Sequence, residues 1–321
     1  MKLVNKENSF IKKLQSKRVN DIIFISIMMG IPILHFCVFN IGIHFKTILM
    51  SFQTRDELIN DYVFIKGDLF ANYKEIIQAF FAEGGGLGPA LRNSFTLFLL
   101  NDLVMIPSSL LMSYFFFKKI PMERFFRVVF YMPSIISVVV MIMVYRFMFD
   151  STIGFVDNLI IRLGFEDKLP EFGWFGTEKT AWSMVIMYCI WAGLGGNIVV
   201  ISGGMARVPA EVLESARLDG IGFWRELFDI IIPLIGTTLG TQLLLGVQVV
   251  FTYFLPVMLL TNGGPNEATM VLPLYVTKLL TTGAGDLSGS AALGMFIALI
   301  GTPVVVAARI LIDKLLPSYE Y

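Results

Sequence analysis

Six apolar runs constrain this chain more than any other feature. They lie near residues 22–44, 95–117, 127–148, 181–202, 234–260 and 289–312, and each is long enough to cross a lipid bilayer. A helix rises about 1.5 Å per residue, so about 20 apolar residues cover a hydrocarbon core of about 30 Å. The pattern predicts an all-α membrane protein with six transmembrane helices. Pro32, Pro107, Pro133, Pro256 and Pro303 fall inside the runs. Bundled membrane helices tolerate prolines when neighbours satisfy the freed carbonyls. Only 16% of the chain is charged and 55% is hydrophobic, far from the balance of a soluble protein of this size.

Basic residues orient the spans. Lys2, Lys6, Lys12, Lys13, Lys17 and Arg18 precede the first run, and no small-residue cleavage site follows it promptly. It therefore reads as an uncleaved first membrane helix. Lys118, Lys119, Arg124 and Arg127 lie between the second and third runs. Arg207, Arg217 and Arg225 lie between the fourth and fifth, and Arg309 and Lys314 at the C-terminal end. These are fifteen of the 25 basic residues, concentrated in short segments. The positive-inside rule puts both termini and the 203–232 loop in the cytoplasm. The expected layout is a cytoplasmic segment 1–21, a first span 22–44 and an extracellular loop 45–94. A membrane core 95–312 and a cytoplasmic tail 313–321 complete it.

Several function classes drop out. The formal net charge is zero, which leaves no electrostatic footprint for nucleic acid. Cys37 and Cys189 sit in apolar runs, so no disulfide framework is indicated, and His35 and His44 are too few for a histidine-rich metal site. No metal ligand set is proposed. No Walker sequence occurs, so the chain does not hydrolyse ATP by itself. Gly84–Gly88 lacks the Lys-Ser/Thr ending of a phosphate loop and reads as a flexible lead-in to the second span. One enzyme alternative is an intramembrane aspartyl protease, because Gly283-Ala-Gly-Asp286 fits its Gly-x-Gly-Asp pattern. Such an enzyme needs two aspartates sharing a proton at membrane depth, and a Tyr-Asp partner in a neighbouring span is missing. Asp102, about one third of the way into the second span, is either a functional site or a pair with Asn101 packed on a neighbouring helix or subunit.

The charged stretch from Pro209 to Pro233 interrupts the apolar runs. Pro209 suits a first helical turn, and Glu211 and Glu214 favour that positive end. Gly220 and Gly222 end the helix. Phe223, Trp224, Leu227, Phe228 and Ile231 then form an apolar stripe opposite Arg225, Glu226 and Asp229.

This stretch resembles the EAA loop of binding-protein-dependent ABC importer permeases, the inner-membrane components of such transport systems, in their carbohydrate-type, maltose-permease-like branch. Glu214-Ser215-Ala216, Gly220 and Ile230-x-Ile232-Pro233 occupy the family's positions, with Ser215 for Ala and Ile232 for Leu as mild departures. Val208-Pro209 and Asp219-Gly220 match the sugar branch. Further marks follow the family's order: Asn93-Ser94, Arg127 through Tyr131 to Pro133, Gly154 through Asn158, and Gly263-Gly264-Pro265 followed by Thr269. The resemblance covers roughly residues 90–310.

It implies a type I ABC importer permease fold in the bacterial plasma membrane. It implies transport of a sugar or oligosaccharide by alternating access, with no catalytic site on this chain. It further implies two cytoplasmic ATPase subunits carrying ATP and Mg, a second, distinct permease subunit, and an extracellular solute-binding protein. Glu211, Glu214, Ala216, Asp219 and Gly220 would dock the ATPase, and Gly263, Gly264 and Pro265 would form the extracellular turn. A secondary transporter is the other alternative, but its inverted repeat is not seen.

Two polar stripes are candidates for the substrate path. Thr238, Thr241, Leu245, Gln248 and Thr252 recur at spacings of three and four in the fifth span. Tyr188, Trp191, Gly195 and Ser202 do so in the fourth, beside Asn197. Tyr188, Trp191, Asn197, Thr241, Gln248 and Thr252 offer a sugar hydroxyl partners and aromatic faces. The competing reading is polar glue between helices, worth about 0.6 kcal/mol per contact. Gly193-Leu-Gly-Gly196 marks either close packing or an unwound point.

Overall fold

The first apolar run is helical from Lys2, and its membrane-length part is α1 (Val19–Met50). Ile22, Phe24, Ile31 and Leu34 are exposed on it. A helix apolar on every side and buried on none needs a lipid solvent. The computed structural model describes residues 2–56, 61–81, 86–282 and 287–316. It divides into two compact units, 1–72 with 287–295, and 73–286 with 296–321.

In the first unit, α1 leads into an antiparallel hairpin, β1 (Gln53–Asp56) and β2 (Asp61–Phe64), with Gln53 opposite Phe64. Asn72, at the start of α2 (Ala71–Phe81), donates to the Ser51 and Gln53 carbonyls at 3.0 Å each. Part of the stretch expected as the extracellular loop 45–94 is thus ordered by its own backbone pairing.

The second unit carries α3 (Leu87–Phe117), α4 (Glu123–Ile135), α5 (Val138–Met148), α6 (Phe155–Arg162) and α7 (Glu178–Met205). They are followed by α8 (Ala210–Leu218), α9 (Phe223–Leu234), α10 (Gly236–Thr252), α11 (Leu255–Leu260) and α12 (Leu272–Thr282). The last helix is α13 (Leu287–Leu315), of which 287–295 are assigned to the first unit and the rest to the second. Four helices among the described residues are long and apolar enough to span, or six if each bent pair is one span.

Two of the expected single spans are broken. The run at 127–148 is α4 and α5, bent by 106°. Ile136 and Ser137 at the corner are extended, with ψ of 145° and 132°. Pro133, which removes a backbone donor one turn earlier, weakens the helix there. The run at 234–260 is split at Tyr253, where the chain leaves the helix before Pro256 opens α11. At the start of the run, beside Pro233, α9 and α10 meet at 78°. A proline's effect on its neighbours depends on what else holds the backbone, and apolar length alone cannot reveal it. By contrast α3 absorbs Pro107 without a break. A wider turn at Asn101–Met105, in which the Ile106 N–H reaches the Asn101 carbonyl, takes up the missing bond.

α7 is the central post, packed by α3, α4, α10 and α11. Its glycine stretch is helical throughout, so close packing rather than unwinding is what those glycines serve. A Cβ on Gly195 would lie 2.9 Å from Ser134 Oγ and closer still to the Phe130 carbonyl, while Gly193 sits against the Met105 side chain. Two apolar clusters fill the unit. One gathers Leu97, Ile142, Tyr145, Val185, Tyr188 and Val257. The other gathers Tyr114, Ile201, Met205, Leu213, Leu227 and Ile231 around the loop that carries α8.

Candidate coupling surface and transport face

α8 is a short helix with two unlike sides. Leu213 and Ala216 are buried, Leu213 against the cluster around Met205 and Leu227. Glu211, Glu214, Ser215, Asp219 and Gly220 are exposed, and Leu218 is 89% exposed. Ala216, expected as a docking contact, therefore faces inward and anchors the helix. Gly220 has φ +71°, a region costly for residues with a Cβ. The Ile221 N–H reaches back to the Ala216 carbonyl at 3.2 Å, which closes the helix in a Schellman-type cap. The result is a firmly seated helix that offers carboxylates and one bare leucine to a partner.

The loop is tied down from its second half. Glu226 is 4% exposed, and the Lys118 ammonium donates to its Oε2 at 2.6 Å with Oε1 at 2.5 Å. Tyr114 Oη donates to the Phe223 carbonyl at 3.3 Å, and the two rings lie 4.7 Å apart. Arg207 donates to Thr238 Oγ1 at 2.9 Å. Sequence reasoning placed Glu226 on the polar side of a stripe and Lys118 in a basic turn. Their pairing across 108 residues had no local signal.

The two polar stripes come apart in the structure. On α10, Thr241, Leu245 and Thr252 are exposed and Gln248 is half-buried, while Thr238 turns into the protein. The hydroxyls of Thr241 and Thr252 donate to the Thr237 and Gln248 carbonyls at 2.8 and 2.9 Å. Their oxygen lone pairs stay free to accept. The Gln248 amide forms no side-chain hydrogen bond among the described residues, so it keeps donors and an acceptor available. On α7, Tyr188 is 2% exposed, packed edge-on to Tyr145 at 5.2 Å; Trp191 is half-buried against the same ring. Asn197 accepts a 2.8 Å bond from Gln242 Nε2, which joins α7 to α10. Gln242 was not anticipated, because it lies off the stripe at 241, 245 and 248.

Asp102 pairs with Asn101, whose Nδ2 donates to Oδ1 at 2.9 Å, and both press on Gly246 of α10, where a Cβ has no room. The Gly283–Asp286 motif lies outside the described residues.

The turn at Gly263-Gly264-Pro265 is bound to the start of α3. Thr269 Oγ1 donates to the Gly264 carbonyl at 3.0 Å and lies 2.6 Å from Thr261 Oγ1. Asn93 Nδ2 donates to both the Ala268 and Met270 carbonyls at 2.9 Å, and Ser94 Oγ accepts from the Leu272 N–H at 2.8 Å. Asn93-Ser94 and the turn, two separate marks in the sequence, are thus one hydrogen-bonded joint. In the loop between α5 and α7, Asn158 Nδ2 donates to the Gly154 carbonyl at 2.8 Å, and Trp174 Nε1 to Asp157 Oδ1 at 2.5 Å. Asp150 beside them is held below the usual carboxylate range, first by the Thr152 hydroxyl and then by the Thr152 and Ile153 N–H groups.

A family model described as "Binding-protein-dependent transport system inner membrane component" matches residues 104–317. The probable ABC transporter permease protein YurN of Bacillus subtilis is 30% identical over 178 residues, 56% of this chain and 60% of YurN. The maltose/maltodextrin transport system permease MalF of Salmonella typhimurium is 27% identical over 160 residues, 50% of this chain and 30% of MalF. The match thus spans less than two thirds of either relative's length. A solved bacterial alginate ABC transporter, in complex with an alginate pentasaccharide-bound periplasmic protein, contains a chain of the same fold. Its TM-score is 0.77 at 19% identity, covering 95% of this chain and 99% of that one.

Proposed function

Since the chain belongs to the family of binding-protein-dependent transport system inner membrane components, and is a multi-pass plasma-membrane protein, we propose that it is a permease subunit of an ATP-driven sugar or oligosaccharide importer. The observation that carries the proposal is α8, a helix seated by Leu213 and closed by Gly220 with Glu211, Glu214 and Asp219 left outward. A surface of this kind suits docking into a cytoplasmic ATPase, which supplies ATP and Mg. The maltose/maltodextrin permease among its relatives supports a saccharide as cargo. The alginate complex supports an extracellular binding protein as partner.

In this reading both termini and the 203–232 loop are cytoplasmic, and the Gly263–Pro265 turn is outside. The loaded binding protein docks on the outer side of this chain and a second permease. Closure of the ATPase pair, driven by ATP, pushes on α8, and the Leu213 anchor passes the push to α3, α7 and α9. Sugar crosses against the exposed face of α10, where Thr241, Gln248 and Thr252 exchange hydrogen bonds with its hydroxyls and Trp191 backs them.

The test is ATPase activity of the complete complex in nanodiscs, with the binding protein loaded from a panel of oligosaccharides. At least one saccharide should stimulate the rate several-fold over the unloaded binding protein. Stimulation by amino acids or inorganic anions and by no saccharide would overturn the assignment.

A further inference from the structure

The starts of α3 and α7 and the segment after the Gly263–Pro265 turn converge on a cleft of about 690 Å³, within the second unit. Ligand sites of small molecules have volumes of roughly 300–1,000 Å³. Trp182 is half-buried in its wall and packs against the cluster around Tyr188 and Val185. Arg92 and Lys179 border it, and neither forms an ion pair among the described residues. Glu178 and Glu267 border it too, and Asn266 Nδ2 donates to Glu178 Oε1 at 2.9 Å. The floor is rigid, since both amide hydrogens of Asn93 are spent on the Ala268 and Met270 carbonyls.

The chemistry of these groups selects a class of ligand. Two cations and two carboxylates carry no net charge, so the rim as a whole favours neither sign of solute. Hydroxyls suit such a rim, because each donates to a carboxylate and accepts from a guanidinium or ammonium. Charge-assisted bonds of this type are roughly twice as strong as neutral ones. The exposed part of the Trp182 indole offers apolar surface to the C–H side of a pyranose, while the packed part holds the ring in place.

We propose that this cleft is a neutral-oligosaccharide subsite on the outer side of the permease, holding sugar between its release from the binding protein and its entry to the membrane path. The proposal rests on the import reading above. It differs from that reading's contact face on α10.

The test is saturation-transfer NMR on the permease–ATPase complex in nanodiscs, without binding protein. The probes are maltotriose, N,N′-diacetylchitobiose, raffinose and cellotriose, with trigalacturonate as the acidic comparison. At least one neutral sugar should show transfer to its ring protons that exceeds trigalacturonate. The signal should be lost in Trp182→Ala and kept in Trp182→Phe, with basal ATPase activity unchanged in both. Absence of transfer from all four neutral sugars overturns the inference. So does a stronger signal from trigalacturonate, a signal that survives Trp182→Ala, or one lost equally in Trp182→Phe. If Trp182→Ala instead weakens only the affinity for the binding protein, the cleft is a protein contact and the inference fails. Any of these with saccharide-stimulated ATPase intact leaves the import reading standing, whereas loss of saccharide stimulation in the unmodified complex defeats that reading itself.

Discussion

Glu214 and Glu226 are two acids in one loop with opposite fates. Glu214 is exposed on α8, while Glu226 is buried and bonded to Lys118. Removing one partner of a buried pair costs about 3–5 kcal/mol, so Glu226 is a fixture of the fold. Glu214 carries no such duty, which makes it a clean probe of docking. An interfacial charge left unpaired costs on the order of 2–5 kcal/mol. Glu214→Lys should therefore release the ATPase or abolish sugar-stimulated turnover, with membrane insertion and yield unchanged. A helix-end role alone is worth under about 1 kcal/mol and predicts near-normal transport. Co-purification of the ATPase with the variant, followed by transport in vesicles, separates the two. Glu214 was legible because it belongs to a spaced local pattern. Glu226 was not, since nothing near it in the chain names Lys118 as its partner.

At the scale of elements, adjacent glycines on α7 make opposite demands. Gly195 lies against the Phe130 carbonyl and Ser134, whereas a Cβ on Gly196 meets nothing within 4 Å. Gly195→Leu should force α4 off α7; overpacking costs about 1–3 kcal/mol, and more where backbone must move. Gly196→Ala should be neutral or slightly stabilising, since alanine is the better helix former. Thermal unfolding of the two purified variants in one detergent checks the contrast: equal midpoints would mean that α4 does not pack on α7 as described. The glycine cluster was visible in the sequence, but its choice between packing and unwinding was not. That choice depends on α4, which packs on α7 and sets its Phe130 carbonyl against Gly195.

At the scale of the whole molecule, the expected outcome concerns topology. In a cysteine-free background lacking Cys37 and Cys189, Leu218→Cys should react with an impermeant maleimide only after permeabilisation. Glu267→Cys and Phe172→Cys should react in intact cells. Labelling of Leu218→Cys from outside would invert the orientation and defeat the coupling role of α8. The sequence by itself determined that the chain lives in a bilayer, where its long apolar runs lie and which loop is punctuated by a proline and glycines. Those properties are sums or spacings over neighbouring residues: apolar length, basic bias, a proline and a glycine at set intervals. Only the tertiary structure decided that two spans are broken, that Tyr188 belongs to the core and that Thr241 and Thr252 lie exposed with Gln248 half-buried. It alone joined Asn93 to the carbonyl of Ala268, 175 residues away. A buried polar group needs a partner, and its chemistry states the need without stating where along the chain the partner lies.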